Sequence, residues 1–262
     1  MLICTVRDCR LPLAREGRVL RCAHGHSFDV ARSGYANLLQ PQDKRSKEPG
    51  DAAQAVEARR RLHERGVNGP LLEAIGEMLA AGPRDTVLDA GCGDGFYLGT
   101  LAARYGFAGH GVDISIAAVN AAARRYPNCE WIVANADKLV PYSDSAFTRL
   151  MTITARTNAA EFHRVLRPGG TLLVAVPSPH DLIELRGQGK DRVPRVMEEF
   201  RDGWRLIEQR RAETRAELDR EAVQDVLVSI YRPLRQTPVE AMTVTFSLDL
   251  LRLEWSPTLP RQ

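Results

Sequence analysis

Two groups of residues in this 262-residue chain have the types and spacing to do chemistry. The first is Cys4-x4-Cys9, then, after twelve residues, Cys22-x3-His26. Three thiols and an imidazole suit a tetrahedral divalent ion without redox chemistry, which points to zinc. Cys22-Ala-His24-Gly-His26 offers two imidazoles, so His24 competes with His26 for the fourth position. The plainer alternative is a set of free thiols beside surface histidines. The second group is the turn Asp89-Ala-Gly91-Cys92-Gly93-Asp94-Gly95, with Tyr97 behind it and Asp113, Asn135 and Asp137 further on. Glycines there let the backbone turn sharply and come close to a ligand. Asp113 follows at about the 20-residue distance at which a carboxylate accepts from ribose hydroxyls. Asp137 closes a later strand, where it can read an adenine amino group. The Gly-x-Gly-x-Gly turn differs from the Gly-x-Gly-x-x-Gly of dinucleotide enzymes, although another nucleotide binder of the same doubly wound type stays open.

These residues need elements to position them. From residue 71 onward helical and strand patterns alternate, as in a mostly parallel sheet covered by helices. Helical spacing runs through Leu71–Ala81, and strands are expected at Thr86–Asp89, Gly109–Asp113, Glu130–Ala134, Phe147–Thr154 and Thr171–Val176. Helices are expected at Phe96–Tyr105, 115–125 and Ala159–Val165, and an alternating late strand begins at Thr243. The heavily charged Arg192–Asp225 reads as a solvated helix or mobile insertion, and the tail Trp255–Gln262 as loose. Three parts result: a Cys/His module at 1–40, a basic connector and helix at 41–70, and a cofactor-binding domain at 71–262.

Composition narrows the classes. Hydrophobic residues at 44% and charged residues at 26% exclude collagen-like and wholly disordered chains. No apolar run approaches the roughly 18 residues of a membrane span, and no secretory signal is readable, so a cytoplasmic location is the expectation. Three of five cysteines fall within the first 22 residues, which argues for a metal cluster over a disulfide framework. A net charge of +3 permits nucleic-acid binding only through a local basic strip. Lys44, Arg45 and Lys47, then Arg59, Arg60 and Arg61, form the candidate strip, with a solvated face paired to Glu48, Asp51, Glu57 and Glu64 as the alternative.

The set Asp-Ala-Gly-Cys-Gly-Asp-Gly, Gly-Val-Asp113-Ile-Ser, Asn135-Ala-Asp137 and Leu-Arg-Pro-Gly-Gly170 resembles the class I S-adenosylmethionine-dependent methyltransferases. The N-terminal third narrows it. His26-Ser-Phe-Asp29 through Gly34-Tyr35-Ala-Asn37-Leu-Leu39, Lys44-Arg-Ser-x-x-Pro49-Gly-Asp51 and Ala58-Arg-Arg60 resemble the bacterial 23S rRNA (guanine-N1)-methyltransferases, which include macrolide-resistance enzymes. The resemblance continues through Arg124-Arg-Tyr-Pro127, Pro177-Ser-Pro-His180 and Gln236-Thr-Pro238, nearly the whole chain. It implies a doubly wound Rossmann-like α/β sheet with a small N-terminal zinc module for RNA recognition. It also implies S-adenosylmethionine and zinc as cofactors, 23S rRNA as partner, and a homodimer. Asp89, Gly91, Cys92, Gly93, Tyr97, Asp113, Asn135 and Asp137 would then line the cofactor, Cys4, Cys9, Cys22 and His26 hold zinc, and Lys44, Arg45, Arg59 and Arg60 meet RNA.

Two features depart from the family pattern: the first knuckle has four intervening residues instead of two, and Thr152-Ile-Thr-Ala-Arg156 replaces an aromatic or Ser followed by Pro. The same scaffold acting on another RNA or a small molecule, or an RNA-binding protein that keeps the cofactor site as structure, are the rival readings. Guanine N1 carries a proton near neutral pH, so a proton acceptor or an oxygen-polarising group helps transfer to it. His180, after the fifth strand, is the catalytic candidate, able to hydrogen-bond the base or a phosphate, with a half-exposed loop histidine as the plainer alternative; Tyr35 and Tyr97 offer stacking faces.

Overall fold

The computed structural model describes residues 1–7, 9–44, 46, 49–230 and 239–255. Arg45, Lys47, Gln236–Pro238 and the tail beyond Trp255 lie outside the described residues. In chain order the strands are β1 (Ala14–Glu16), β2 (Val19–Arg21), β3 (Ser27–Asp29), β4 (Ala36–Asn37), β5 (Thr86–Ala90), β6 (Ala108–Asp113), β7 (Glu130–Val133), β8 (Phe147–Ile153), β9 (Leu166–Pro177), β10 (Trp204–Leu218) and β11 (Met242–Trp255). The helices are α1 (Ala53–Glu64), α2 (Gly69–Leu79), α3 (Phe96–Tyr105), α4 (Ile116–Arg125), α5 (Ala159–Val165), α6 (Ile183–Arg186), α7 (Val193–Glu199) and α8 (Arg220–Ser229).

The large sheet runs β10-β11-β9-β8-β5-β6-β7-β4. Its inner strands pair in parallel, and only β11 runs against its neighbours. The chain order reverses between β5 and β8, so the C-terminal ends of β5 and its neighbours form the crevice where a doubly wound sheet takes its ligand. Val87, Leu88, Val112, Val133, Leu150 and Leu172 are fully or almost fully buried, as strands covered on both faces require.

The N-terminal module makes its own three-stranded antiparallel sheet from β1, β2 and β3. It is not a separate bead. Leu2, Leu20, Phe28 and Val30 join the core that includes Leu88, Ile132 and Phe147. Moreover, β4 extends the large sheet by pairing in parallel with β7, Ala36 opposite Ile132.

Most sequence-expected elements are present within a residue or two. One is different: Arg192–Asp225 is neither a solvated helix nor an insertion. It holds α7, the fifteen-residue strand β10 and the start of α8. β10 is the sheet's edge, pairs only with β11, and buries only Trp204, Ala212 and Leu218, so its sequence lacks an apolar face. Charged side chains along such an edge also discourage pairing with other chains. A smaller difference concerns β9, which begins at Leu166 because Arg167–Gly170 bulges between the pairs Phe147–Leu166 and Arg149–Thr171. Among the described residues, no helix is long and apolar enough to cross a membrane.

Candidate functional site

Two knuckles gather the metal-type donors. Backbone bonds from Cys4 to the Leu11 carbonyl and from Cys9 to the Val6 carbonyl fold the first. Bonds from Cys22 to the His26 carbonyl and from Gly25 to the Cys22 carbonyl fold the second, with Gly25 at φ +81°. The Sγ atoms of Cys4, Cys9 and Cys22 and the ring nitrogen of His26 lie within 4.8 Å of one another. Cys9 and Cys22 Sγ are 3.8 Å apart, and His26 Nδ1 is 3.5 Å from both Cys4 and Cys22 Sγ. Zinc bonds of about 2.3 Å to sulfur and 2.0 to 2.1 Å to nitrogen give tetrahedral edges of about 3.8 Å (S–S) and about 3.5 Å (S–N). The donor set therefore fits zinc. His24 Nδ1 reaches only Cys9, at 3.6 Å, and is exposed, so the geometry favours His26 in the fourth position. The longer first knuckle still delivers Cys4 and Cys9 to the cluster. Burial pushes the Cys4 thiol up to about 12 in the absence of a cation.

The glycine turn sits where β5 meets α3. Gly91 and Cys92 amides bond to the Val112 carbonyl at 2.8 and 3.1 Å, which ties the turn to β6. Gly91 has φ +89°, and a Cβ on it would lie 2.2 Å from the Ala155 Cβ, so only glycine fits. Asp113 spans the same loop: its Oδ2 accepts from the Gly93 amide at 2.9 Å and its Oδ1 from the Ser115 amide at 2.8 Å. Asp89 is 2% exposed and its Oδ1 has no partner among the described residues. Burial, with Asp113 and Asp94 adding to it, raises Asp89 well above the usual carboxylate range. An orphaned buried carboxyl oxygen at the end of β5 is a polar atom left for a donor group of a ligand. Cys92 is buried, and Tyr97 is partly buried, edge-on to His63.

The connector crosses the ligand edge of the sheet at three strand ends. At β7, Asn135 Nδ2 donates to the Asp43 carbonyl at 3.0 Å and Lys138 Nζ pairs with Asp43 at 2.9 Å. At β6, Ser115 Oγ donates to the Asp51 carbonyl at 2.7 Å. At β5, Arg59 lies over Gly93 and pairs with Asp51 at 2.7 Å. Arg59 is thus partly buried and paired with Asp51. Arg60 does face outward, with Glu57 and Glu64 both 2.5 Å away, so its charge is already answered. Lys44 is exposed.

Asp137 is paired with Arg156 at 3.3 Å, so the segment Thr152–Arg156 reaches the loop that follows β7. His180 is exposed after β9, with Nδ1 3.7 Å from Glu213. Sequence reasoning passed over its neighbour Asp181, which is turned inward: Oδ1 accepts from the Ser247 amide at 3.0 Å and Oδ2 pairs with Arg186. It also missed Arg32 and Arg124, which with Tyr35 and Ile116 line a groove of about 440 Å³ between the module and α4.

Comparison with known proteins gives matches to both halves. A zinc-ribbon family described as the RlmA N-terminal region matches residues 3–47, and a methyltransferase-domain family matches residues 87–170. The 23S rRNA (guanine(748)-N(1))-methyltransferase of Streptomyces fradiae is 35% identical over 243 residues, covering 88% of this chain and 86% of that protein. Among solved structures, a chain of the complex between the Haloferax volcanii Trm112 methyltransferase activator and its methyltransferase aligns with TM-score 0.56 at 20% identity, over 79% of this chain and 99% of its own. YjhP from E. coli aligns with TM-score 0.52 at 18% identity, over 78% and 98%. These last two establish the fold.

Proposed function

The chain belongs to the 23S rRNA (guanine-N1)-methyltransferase family, and on that premise we propose that it methylates N1 of a guanine in 23S rRNA. The observation that carries the reading is the joining of a four-donor metal cluster and an acid-flanked glycine turn by one connector in one fold. S-adenosylmethionine would be held by this chain's own residues: the orphaned Asp89 carboxyl would take its ammonium, Asp113 its ribose, and Asn135 and Asp137 its adenine edge, with Gly91, Cys92, Gly93 and Tyr97 between them. When bound it supplies a sulfonium methyl group to in-line attack, with a neutral leaving group. Alignment of acceptor and methyl is then the protein's main contribution. Zinc held by Cys4, Cys9, Cys22 and His26 stiffens the knuckles of a module too small to fold on its own core.

The acceptor guanine must leave its stack to enter the cleft. His180 is our candidate for accepting the N1 proton: Glu213 faces its Nδ1, and Nε2 has no protein partner among the described residues. For RNA contact, exposed Lys44 and the Arg32–Arg124 groove beside Tyr35 are the better supported cations, since neither arginine is in an ion pair among the described residues. Such a surface reads phosphates and shape more than duplex base edges. A homodimer, a cytoplasmic location and macrolide resistance belong to this reading through the family resemblance.

The test is transfer of labelled methyl from S-adenosylmethionine to 23S rRNA, with nucleoside analysis for 1-methylguanosine and primer-extension mapping of the modified base. Label on another base, or on non-ribosomal RNA alone, refutes the assignment.

A further inference from the structure

The connector holds one arginine in a place that charge neutralisation alone does not require. Arg59 Nη2 donates to Asp51 Oδ2 at 2.7 Å and lies 3.5 Å from the Ser229 carbonyl. Its Nη1 arm points the other way, 3.4 Å from where a Gly93 Cβ would be, and has no hydrogen-bond partner among the described residues. The arrangement is built. Gly50, at φ +84°, leaves no room for a Cβ, which would lie 2.7 Å from the Ser115 Cβ, and Ser115 Oγ fixes the Asp51 backbone at 2.7 Å. Asp51 so seated holds Arg59 across the turn. Asp94, within the turn, also faces Arg59, and Asp89 at the end of β5 carries the orphaned Oδ1. A guanidinium and a carboxylate flanking one glycine turn form a site for a zwitterion, the ammonium toward Asp89 and the carboxylate toward the free arm.

We infer that Arg59 binds the carboxylate of the cofactor's amino-acid moiety, so that the connector between zinc module and catalytic domain is itself part of the cofactor site. The inference rests on the S-adenosylmethionine reading above. It makes Arg59 a cofactor-binding residue where its sequence context reads as RNA-facing. It also links the two halves: a bound cofactor holds the connector against β5, β6 and β7, and a docked connector tightens cofactor binding by the same factor.

The experiment measures dissociation constants of S-adenosylmethionine and of decarboxylated S-adenosylmethionine by calorimetry, for the full-length wild type, Arg59→Gln and Arg59→Lys. The second ligand keeps the ammonium and sulfonium and lacks the carboxylate. Wild type should prefer the first ligand by about ten- to a hundredfold, the range of one lost charge-assisted hydrogen-bonded contact. Arg59→Gln should erase that preference by weakening S-adenosylmethionine alone. Arg59→Lys, which keeps the charge and loses the fork, should retain part of it. Equal weakening of both ligands, or an unchanged preference in Arg59→Gln, overturns the inference and leaves Arg59 a purely structural residue. If Arg59→Gln does not fold, Arg59→Lys decides alone: a reduced preference supports the inference and an undiminished one overturns it. A wild type that binds neither ligand refutes the methyl-transfer reading itself, whereas one that binds both equally refutes only the role of Arg59.

Discussion

Cys9 Sγ and Cys22 Sγ stand 3.8 Å apart as free thiols, the separation of two ligands on one zinc ion rather than of a disulfide. The purified protein should therefore carry one zinc per chain by metal analysis. Cys4→Ser, Cys22→Ser and His26→Ala should each lose it, and His24→Ala should keep it. Because Leu20 and Phe28 share a core with Leu88 and Phe147, metal loss should also lower the unfolding midpoint of the catalytic domain. Full zinc content in Cys22→Ser would dismiss the ligand set, and loss in His24→Ala would reassign its fourth member.

Gly91 leaves no room for a side chain, because Ala155 packs against it at the end of β5. A Gly91→Ala substitution meets two costs, a left-handed φ of +89° and a Cβ–Cβ contact of 2.2 Å. Together these should destabilise the protein by about 2–5 kcal/mol in urea unfolding. Adding Ala155→Gly removes the contact and leaves the φ strain, so the double variant should recover about half of the loss. No recovery would show that the strain dominates.

What was legible in the sequence follows from chemistry that side-chain type alone announces. Gly91, Gly93 and Asp113 are recognisable because glycines and a carboxylate at strand ends have few other reasons to recur at that spacing. Arg59, Arg60 and Arg61 were not separable, since adjacent residues on a helix point about 100° apart and composition does not say which faces what. One reaches the glycine turn, the next Glu57 and Glu64, the third Asp225 on α8. β10 was hidden for a different reason: an edge strand with one covered side needs few apolar residues, and Trp204, Ala212 and Leu218 are too sparse to show a period.

Asp89 sets a conflict between stability and binding. Its carboxyl is raised above its unfolded value by burial and by Asp113 and Asp94, so its contribution to stability is complete at low pH and is lost as pH rises through the folded value. Asp89→Asn should raise the unfolding free energy of the ligand-free protein at pH 7 by on the order of 1–3 kcal/mol in urea unfolding, while weakening S-adenosylmethionine binding. In the wild type a cationic ligand favours the ionised form. Cofactor affinity should rise with pH across that titration, with proton release on binding, which calorimetry in two buffers of different ionisation enthalpy detects. Affinity that falls with rising pH would count against the Asp89–ammonium pairing.

His63 should carry part of the acid limb of stability. Its ring is stacked on Phe96 at 3.8 Å between centroids, its side chain is 2% exposed, and its Nδ1 accepts from Asn68 Nδ2 at 2.9 Å. Burial first, then the charges of Arg59 and Arg125, push its pKa down to about 3 from an ordinary 6.5, even with Asp94 3.9 Å from Nε2. A base with a lowered folded value contributes stability that is full above the unfolded pKa and is lost as pH falls below it. Between pH 6.5 and 5 the loss from this one group is about 1.6 kcal/mol. His63→Gln keeps an acceptor for Asn68 and removes the titration. Urea midpoints of the variant should therefore vary less than wild type over that interval, with zinc kept saturating in both so that release of the metal does not contribute. Parallel pH profiles for the two proteins would show that another group controls the acid transition.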